Sequence, residues 1–286
     1  NSSGISRRLI AFASALVGFI KGGLSMINIA TSMFFAEISG SAVADVAALG
    51  SILIPAMKKK GYPGPFAAAV TSSSASLAII IPPSIPMIVY AVMAQSSVVQ
   101  LFVAGVVPGI IGGFLMMFAA YIYARRKNLP IEENFNLVNL RKTAKEAALA
   151  FLLPIIILGG IFGGVVTATE GAGLAVVAAL IIGLIYREFD FKRLYQAATE
   201  GAIQTAAVML LVAASVLLGE FLTVEQIPQK VAESIIDMTQ NKYAVLAILN
   251  VFLLIIGFFL HSVAAIILTV PIVMPLVNAV GIDPVH

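Results

Sequence analysis

The 286-residue sequence is 60% hydrophobic and only 11% charged, with a mean hydropathy of +1.04, which excludes an ordinary water-soluble domain and indicates a polytopic membrane protein. The formal net charge of +3 comes from basic residues that are expected to cluster in short loops between apolar runs, a pattern that indicates membrane topology and argues against nucleic-acid binding. The absence of cysteine excludes a disulfide framework, a thiol nucleophile and a zinc–thiolate site.

The apolar runs have the length of membrane-crossing helices. Residues 101–124, 147–166, 171–186 and 202–219 each fit about 30 Å of hydrocarbon as a helix, and all exceed the ~10-residue alternating segments of a membrane β-barrel. The predicted fold class is therefore all-α. The positive-inside rule assigns five basic clusters to the cytoplasm: Arg7–Lys21, Lys58–Lys60, Arg125–Lys127, Arg141–Lys145 and Arg187–Arg193.

Taken in chain order, the sequence divides into four segments. The first is an interfacial arm helix at residues 1–23, because the apolar stretch between Arg8 and Lys21 is about 12 residues and too short to span. A first repeat at 24–124 contains a hairpin at 24–57, a broken helix at 66–94 and a crossing at 101–124. A cytoplasmic connector with scaffold helices occupies 125–222, and an outer arm helix with a second hairpin at 243–276 occupies 223–286.

The first hairpin is predicted to be re-entrant. Its two ends must lie on the same side of the membrane, and its ~34 residues are fewer than the ~40 that two complete crossings need. We place its tip at Ser39-Gly40-Ser41. Irregular backbone inside a bilayer is tolerated only beside protein or a water-filled cavity, so Glu37 and Asp45 are expected to face a cavity. The alternative is that both acids pair with a basic residue outside this sequence.

The crossing at 66–94 is predicted to break at Pro82-Pro83, because two prolines remove backbone donors and clash with the preceding turn. A break at mid-membrane exposes carbonyls that can coordinate a cation and N–H groups that can bind an anion. Four nearby hydroxyls are hard oxygen ligands suited to Na⁺: those of Ser72, Ser73, Ser74 and Ser84. The other interpretation is a proline kink whose serines bond to their own helix.

A weak internal repeat appears at a shift of 220 positions. The run "ILIPAMKKKGYPG" then lies over "IVMPLVNAVGIDP", which keeps the proline and glycine but replaces Lys58–Lys60 by Asn278, Ala279 and Val280. Loss of the lysines is what a copy that opens to the opposite side requires. The second hairpin tip is thus predicted at His261-Ser262.

The runs "FFAEISGSAVADVAALGSILIPAMKKKGYPGPFAAAVT", "IIPPSIPMIVYA", "LFVAGVVPG", "GGIFGGVVTATEGAG" and "VPIVMPLVNAVGIDPVH" together resemble the large membrane subunit of tripartite ATP-independent periplasmic (TRAP) transporters. The resemblance implies a bacterial inner-membrane carrier driven by Na⁺ through an elevator-type movement. It also implies two partners, a small four-helix membrane subunit and a soluble periplasmic substrate-binding protein, and organic-anion substrates.

The resemblance implies a sodium and substrate site at both tips and the broken helix: Ser39, Gly40, Ser41, Asp45, Ser72, Ser73, Ser74, Pro82, Pro83, Ser84, His261 and Ser262. Na⁺ itself is assigned to Ser39, Gly40, Ser41, Ser72 and Ser73, and no organic cofactor is expected. His261 stands where many members carry an acid, and Ala168 where many carry proline. The family's second Pro-Pro break and its first helices are absent, so we expect the sequence to be a piece of a longer chain.

The serine-rich run before Pro82 resembles the sialic-acid branch of the family more than the dicarboxylate branch, and this resemblance implies sialic acid as the substrate, with C4-dicarboxylates as the alternative. Two other classes of function remain as hypotheses. One is a channel or a scaffold subunit of a membrane complex, which would share the helices without needing two inverted hairpins. The other is an intramembrane hydrolase that uses a serine and His261, although no nucleophile, base and oxyanion signature is present and we expect no enzyme activity.

Overall fold

The computed structural model describes residues 4–185, 190–239 and 241–286, and over these ranges the chain is helical and contains no strand. The predicted all-α class is confirmed. Arg187 of the fifth basic cluster lies outside the described residues. Thirteen helices are found in the described ranges: α1 Ile5–Val17, α2 Gly23–Ser39, α3 Ala42–Lys59, α4 Gly64–Ala75, α5 Leu77–Ile80, α6 Ile85–Met93, α7 Val98–Arg126, α8 Leu137–Phe162, α9 Ala168–Ile185, α10 Phe191–Val224, α11 Ile227–Met238, α12 Lys242–Phe259 and α13 Ser262–Ala279.

Six of the described helices are long and apolar enough to cross a membrane, namely α7, α8, α9, α10, α12 and α13. A seventh span results if α4, α5 and α6 are counted as one broken crossing. Helices α2 and α3 of the first hairpin are not among them. The chain is therefore a multi-pass membrane protein, and by length and composition the two hairpins differ, because both arms of the second could cross.

Helix α8 begins earlier than the apolar pattern predicts. It starts at Leu137, and the Asn136 side chain caps it by accepting hydrogen bonds from the backbone N–H groups of Val138 at 2.9 Å and Asn139 at 3.3 Å. The fourth basic cluster, Arg141–Lys145, consequently lies in the first turns of the helix instead of in a loop. Basic side chains are good helix formers, so a charged segment behind a capping asparagine extends the helix beyond the membrane.

The chain divides into two compact units. In the first unit, α2 is the most buried helix and packs against α1, α3, α4 and α5. Three phenylalanine rings join α1, α2 and α8, because Phe12, Phe34 and Phe151 have centroids 5.3–5.6 Å apart. Such ring pairs add to the free energy gained by apolar burial. This cluster fixes the first hairpin against α1, which precedes it, and against α8, which is distant in sequence.

The base of the first hairpin is joined to the segment between α7 and α8. The backbone N–H groups of Gly22 and Gly23 donate to the Pro130 carbonyl at 3.1 and 3.2 Å. The Tyr62 hydroxyl accepts from the Leu24 N–H at 3.3 Å and donates to the same Pro130 carbonyl at 3.5 Å. Burial raises the pKa of Tyr62 to about 12, so the phenol remains a donor at neutral pH.

The second unit contains α6, the start of α7 as far as Ala104, and α10 to α13. Helix α13 packs against α11 and α6. The Ser215 hydroxyl of α10 donates to the Ile267 carbonyl of α13 at 2.9 Å, and the Tyr90 hydroxyl of α6 donates to the Pro284 carbonyl at 2.6 Å. The two halves of the broken crossing therefore belong to different units, with α4 and α5 beside the first hairpin and α6 beside the second.

Candidate functional site

The first hairpin turns at the residues that the sequence predicts. Helix α2 ends at Ser39, and Gly40 adopts a left-handed conformation with φ of 58°, which glycine accepts without steric cost. The Gly40 N–H donates to the Ala36 carbonyl at 3.0 Å. Ser41 then caps α3, because its hydroxyl accepts from the Ala44 N–H at 3.4 Å. The interruption between α2 and α3 is therefore explained by Gly40, which ends the first helix, and by Ser41, which caps the second.

Asp45 is the buried acid of this tip. Its side chain is 0% exposed, and Oδ1 accepts a short hydrogen bond from the Ser39 hydroxyl. The second carboxylate oxygen, Oδ2, is buried and has no hydrogen-bond partner among the described residues. Glu37, the other predicted acid, is only partly buried in the last turns of α2. An uncompensated carboxylate oxygen in the interior costs free energy unless a cation or donor meets it.

A polar contact zone, which the sequence did not reveal, aligns α2 with α4. The Asn28 amide donates to the Thr71 hydroxyl at 2.7 Å, and the hydroxyls of Ser32 and Ser74 share a hydrogen bond of 2.9 Å. All four side chains are at most 1% exposed. We call these four residues the polar ladder. The only sequence signal for it is that α2 contains several polar residues, among them Asn28 and Ser32.

The polar ladder sets the register between the tip and the broken helix. Its two pairs show that α2 and α4 run parallel, since both residue numbers increase together. Continuing this register by two turns brings Ser39 level with the residues around Ile81. There α5 has ended, Ile81 is extended with ψ of 124°, and Pro82-Pro83 follows. The first tip and the first half-helix end therefore lie at the same height.

The serines of the broken helix are placed differently from one another. Ser72 and Ser73 are exposed, and Ser74 is bonded to Ser32, which precedes Ser39 by about 10 Å along α2. These three hydroxyls are thus about two turns away from the first tip. Ser84 is 1% exposed, and its hydroxyl donates to the Ile79 carbonyl at 2.6 Å across the two prolines. The structure therefore brings Ser39, Ser41 and Asp45 together with the break, but not Ser72 to Ser74.

Helix α7 packs closely on the break because it has no side chain there. A Cβ atom built on Gly109 would lie 2.6 Å from Cγ1 of Ile81, and one on Gly113 would lie 2.4 Å from the Met33 sulfur. Both distances are shorter than van der Waals contact. Glycine at position 109 lets α7 approach Ile81 directly before the two prolines, and glycine at position 113 lets it approach Met33 of α2.

The second break repeats the first at the level of the backbone. Helix α13 spans Ser262–Ala279 and α3 spans Ala42–Lys59, which is the predicted shift of 220 positions. Behind each helix a glycine has positive φ, 84° at Gly61 and 68° at Gly281. The tips themselves differ, because His261 is an exposed, extended N-cap residue whose side chain makes no capping bond, and Ser262 opens α13.

The residues at the first tip fit a sodium ion. Na⁺ prefers hard oxygen ligands, and this tip offers two hydroxyls, the carbonyl groups of the last turn of α2 and the unpaired oxygen of Asp45. A cation beside Oδ2 would neutralise the buried carboxylate, which no basic side chain contacts among the described residues. Ser39, Ser41 and Asp45 would hold the ion, while Ser72 and Ser73 lie too far along α4 in this structure.

Comparison with models of protein families gives a match over the whole of this sequence. The model of the family described as "Tripartite ATP-independent periplasmic transporter, DctM component" matches residues 1–286. The match covers both hairpins, the broken helix and the segments that connect them.

Three relatives illustrate the range of this similarity. The chain is 41% identical to the isethionate TRAP transporter permease protein DctMQ of Oleidesulfovibrio alaskensis, and 40% identical to the C4-dicarboxylate TRAP transporter large permease protein DctM of Pseudomonas aeruginosa. It is 36% identical to the sialic acid TRAP transporter large permease protein SiaM of Vibrio cholerae. All of this chain aligns in each case, and it spans 45%, 67% and 67% of the three relatives.

Proposed function

The chain belongs to the DctM family of TRAP transporters, and from this premise we propose that it is part of a Na⁺-coupled symporter that takes up an organic anion across the bacterial inner membrane. The observation that carries the proposal is the arrangement of the first hairpin tip beside the end of α5. There a capped turn, a buried acid with an unpaired oxygen and the end of a half-helix lie at one height.

Sodium is proposed to bind at the first tip. Ser39, Ser41 and Asp45 supply side-chain oxygens, and carbonyl groups of the Ile81–Pro83 segment lie at the same height on the neighbouring half-helix. The bound ion would compensate Asp45 and order the turn at Gly40. Ser72 and Ser73 remain predicted ligands, but in this structure their exposed positions on α4 favour the carbonyl groups near Pro82 in their place.

The anion is proposed to bind at helix N-termini that the breaks create. The first turn of α3 in the first unit and the first turn of α13 in the second unit each present N–H groups that have no partner within their own helix, and each is proposed separately as a place that attracts an anion. In the second break His261 has a side chain free to contribute, since it makes no capping bond. Ordering of the tips by Na⁺ before the anion binds couples the two solutes, and an elevator-type movement would then carry both across.

Ion coupling supplies enough free energy for accumulation. A tenfold Na⁺ gradient is worth ~1.4 kcal/mol per ion, and one net charge moving through 100 mV is worth ~2.3 kcal/mol. Two Na⁺ ions with a monoanion therefore gain about 5 kcal/mol, which supports accumulation of several thousandfold.

The substrate is proposed as a class, namely a small carboxylate or sulfonate. The serine run that favoured sialic acid is partly exposed and partly bonded within the polar ladder, so it does not single out that anion. Relatives named for isethionate, C4-dicarboxylate and sialic acid share 41%, 40% and 36% identity with the chain. A small membrane subunit, separate or fused, and a periplasmic binding protein are the proposed partners.

Uptake into proteoliposomes tests the proposal. The full-length protein with its small subunit is reconstituted, the binding protein is added outside, and labelled C4-dicarboxylate, isethionate or sialic acid is supplied. We expect accumulation of at least one anion under an inward Na⁺ gradient and none when K⁺ replaces Na⁺. Accumulation that is indifferent to Na⁺ would exclude symport, and equilibration without accumulation would favour the channel hypothesis.

A further inference from the structure

A basic and apolar face at the end of α7 is left unused by the proposed transport site. This face lines an open depression of about 450 Å³ in the first unit. Its lining residues recur at helical spacing on one side of the helix: Phe118, Tyr121, Ile122, Arg125 and Arg126. We call these five residues the α7 end site. Phe118 is 63% exposed and both arginines are exposed, so this face is not covered by the described part of the chain.

The two arginines lack partners. Neither guanidinium group forms an ion pair or a hydrogen bond with any residue that the structure describes, whereas the nearby Lys21 bonds to Asn128 at 2.9 Å and Lys60 pairs with Glu132 at 3.4 Å. Adjacent unpaired guanidinium groups are suited to bidentate binding of a phosphate. The α7 end site therefore has two guanidinium groups that are available to bind an anion.

The apolar half of the site indicates which anion. Phe118 lies one turn on the membrane side of Tyr121 and Ile122, and all three precede the arginines by one to two turns. Tyr123 of the same helix stacks on Phe66 with centroids 4.0 Å apart, which adds aromatic rings at this level. Aromatic residues followed by arginine are typical of the cytoplasmic boundary of a membrane helix. A soluble phosphate would leave the apolar half of the cavity empty.

We propose that the α7 end site binds an anionic phospholipid, with its phosphate held by Arg125 and Arg126 and an acyl chain lying along Phe118 and Ile122. The cavity lies at the end of the helix, where headgroups lie, and its polarity changes along the membrane normal as that of a phospholipid does. A partner helix would instead need a contact that continues along the whole of α7 and would have to supply an acid to each arginine.

Photo-labelling in membranes tests this site. The full-length protein is reconstituted with a tracer of photoactivatable phosphatidylglycerol or, separately, phosphatidylcholine that carries the same reactive acyl chain. Peptides containing residues 114–127 are then analysed by mass spectrometry. We expect labelling of this segment by the anionic lipid to exceed that by the zwitterionic lipid, on the order of tenfold. Labelling is independent of transport, so failure of the symport proposal leaves this test intact.

Variants distinguish a specific lipid-binding site on α7 from a general attraction of anionic lipids to basic surface. Arg125→Gln with Arg126→Gln should lower the anionic-lipid labelling about tenfold. Arg125→Lys with Arg126→Lys keeps the charge that sets topology but loses bidentate geometry, and should give an intermediate loss. The matched control, Arg141→Gln with Lys142→Gln, removes an exposed basic pair from α8 and should change labelling of α7 little.

Three results would overturn the proposal. Equal labelling by both lipids would show an ordinary lipid-facing surface. An equal loss in the α8 control would show nonspecific attraction. Absence of labelling in residues 114–127 of the folded full-length protein would show that another protein segment covers the α7 end site.

Discussion

Asp45 contributes both to the folded turn at the first tip and to the proposed ion site. Its Oδ1 atom is used by Ser39 and fixes the turn, while its Oδ2 atom is buried without a partner in the described chain. The carboxylate thus has one structural oxygen and one that remains for a ligand. Replacement by asparagine separates the two roles, because the amide oxygen can still accept from Ser39 but carries no charge.

Asp45→Asn should therefore raise the Na⁺ concentration for half-maximal uptake about tenfold, equivalent to ~1.4 kcal/mol, with little change in thermal stability. The measurement is the Na⁺ dependence of initial uptake rates in proteoliposomes. Asp237→Asn, at an exposed acid of α11, is the control and should leave the Na⁺ dependence unchanged. An unchanged Na⁺ requirement in Asp45→Asn would remove Asp45 from the proposed ion site.

The polar ladder stabilises the register between α2 and α4. Asn28→Ala removes the hydrogen bond to Thr71 from a fully buried position and should lower the free energy of unfolding by about 1–2 kcal/mol. Thermal unfolding of the purified protein in detergent measures the change. The control Asn250→Ala removes an exposed amide of α12 that bonds only within its own helix, and should cost less than about 0.5 kcal/mol. Equal effects in the two variants would contradict this account.

At the scale of elements, close packing of α7 supports the broken helix. Gly109→Ala would place a methyl group 2.6 Å from the Ile81 side chain and push the segment before Pro82. We expect a loss of about 1–3 kcal/mol in stability together with slower uptake. The control Gly173→Ala, on α9, meets no atom within 4 Å and should behave as the unchanged protein. Full activity in Gly109→Ala would show that the break does not depend on this contact.

The hydrogen bonds of Tyr62 at the base of the first hairpin predict that protein stability depends on pH in the alkaline range. Tyr62→Phe removes the hydroxyl that joins Leu24 to Pro130 and should cost about 1 kcal/mol at neutral pH. The unfolded phenol ionises near pH 10, whereas the pKa of Tyr62 in the folded protein is about 12, so stability of the unchanged protein falls between these values. The difference from Tyr62→Phe should narrow over the same range.

Unfolding followed from pH 8 to pH 12 measures this difference. Tyr195→Phe, at a tyrosine that is 70% exposed, is the matched control and should show no stability difference at pH 8. A difference in unfolding free energy between the unchanged protein and Tyr62→Phe that stays constant up to pH 12 would contradict the raised pKa of Tyr62.

Elements with a local cause could be predicted from the sequence. The breaks at Gly40 and at Pro82-Pro83 follow from backbone conformation and missing donors, and both occur in the structure where they are predicted. The sequence did not predict that α8 extends into the basic segment, because the cluster Arg141–Lys145 was interpreted as part of a loop. The Asn136 side chain, which caps the helix, instead favours a helical start at Leu137. The polar ladder could not be predicted, because Asn28 and Thr71 are 43 positions apart and their pairing depends on tertiary register.

At the scale of the whole molecule, the second helices of the two hairpins correspond at the shift of 220 positions, while the tips differ. Helices α3 and α13 have the same length and are followed by the same glycine turn, but Ser41 caps one and His261 precedes the other without a capping bond. The loss of the lysines in the second copy predicts an inverted repeat, and inverted repeats place their binding sites near the membrane midplane. We expect the first hairpin to enter from the cytoplasm and the second from the outer side.

Electron cryomicroscopy of the full-length protein in lipid nanodiscs measures directly the depth of each tip relative to the bilayer. The account predicts that Gly40 and His261 both lie about 15 Å below the respective membrane surface, near mid-bilayer, with the two hairpins entering from opposite faces. A map in which α2 and α3 cross completely and Ser39 to Ser41 lie in bulk water would contradict it.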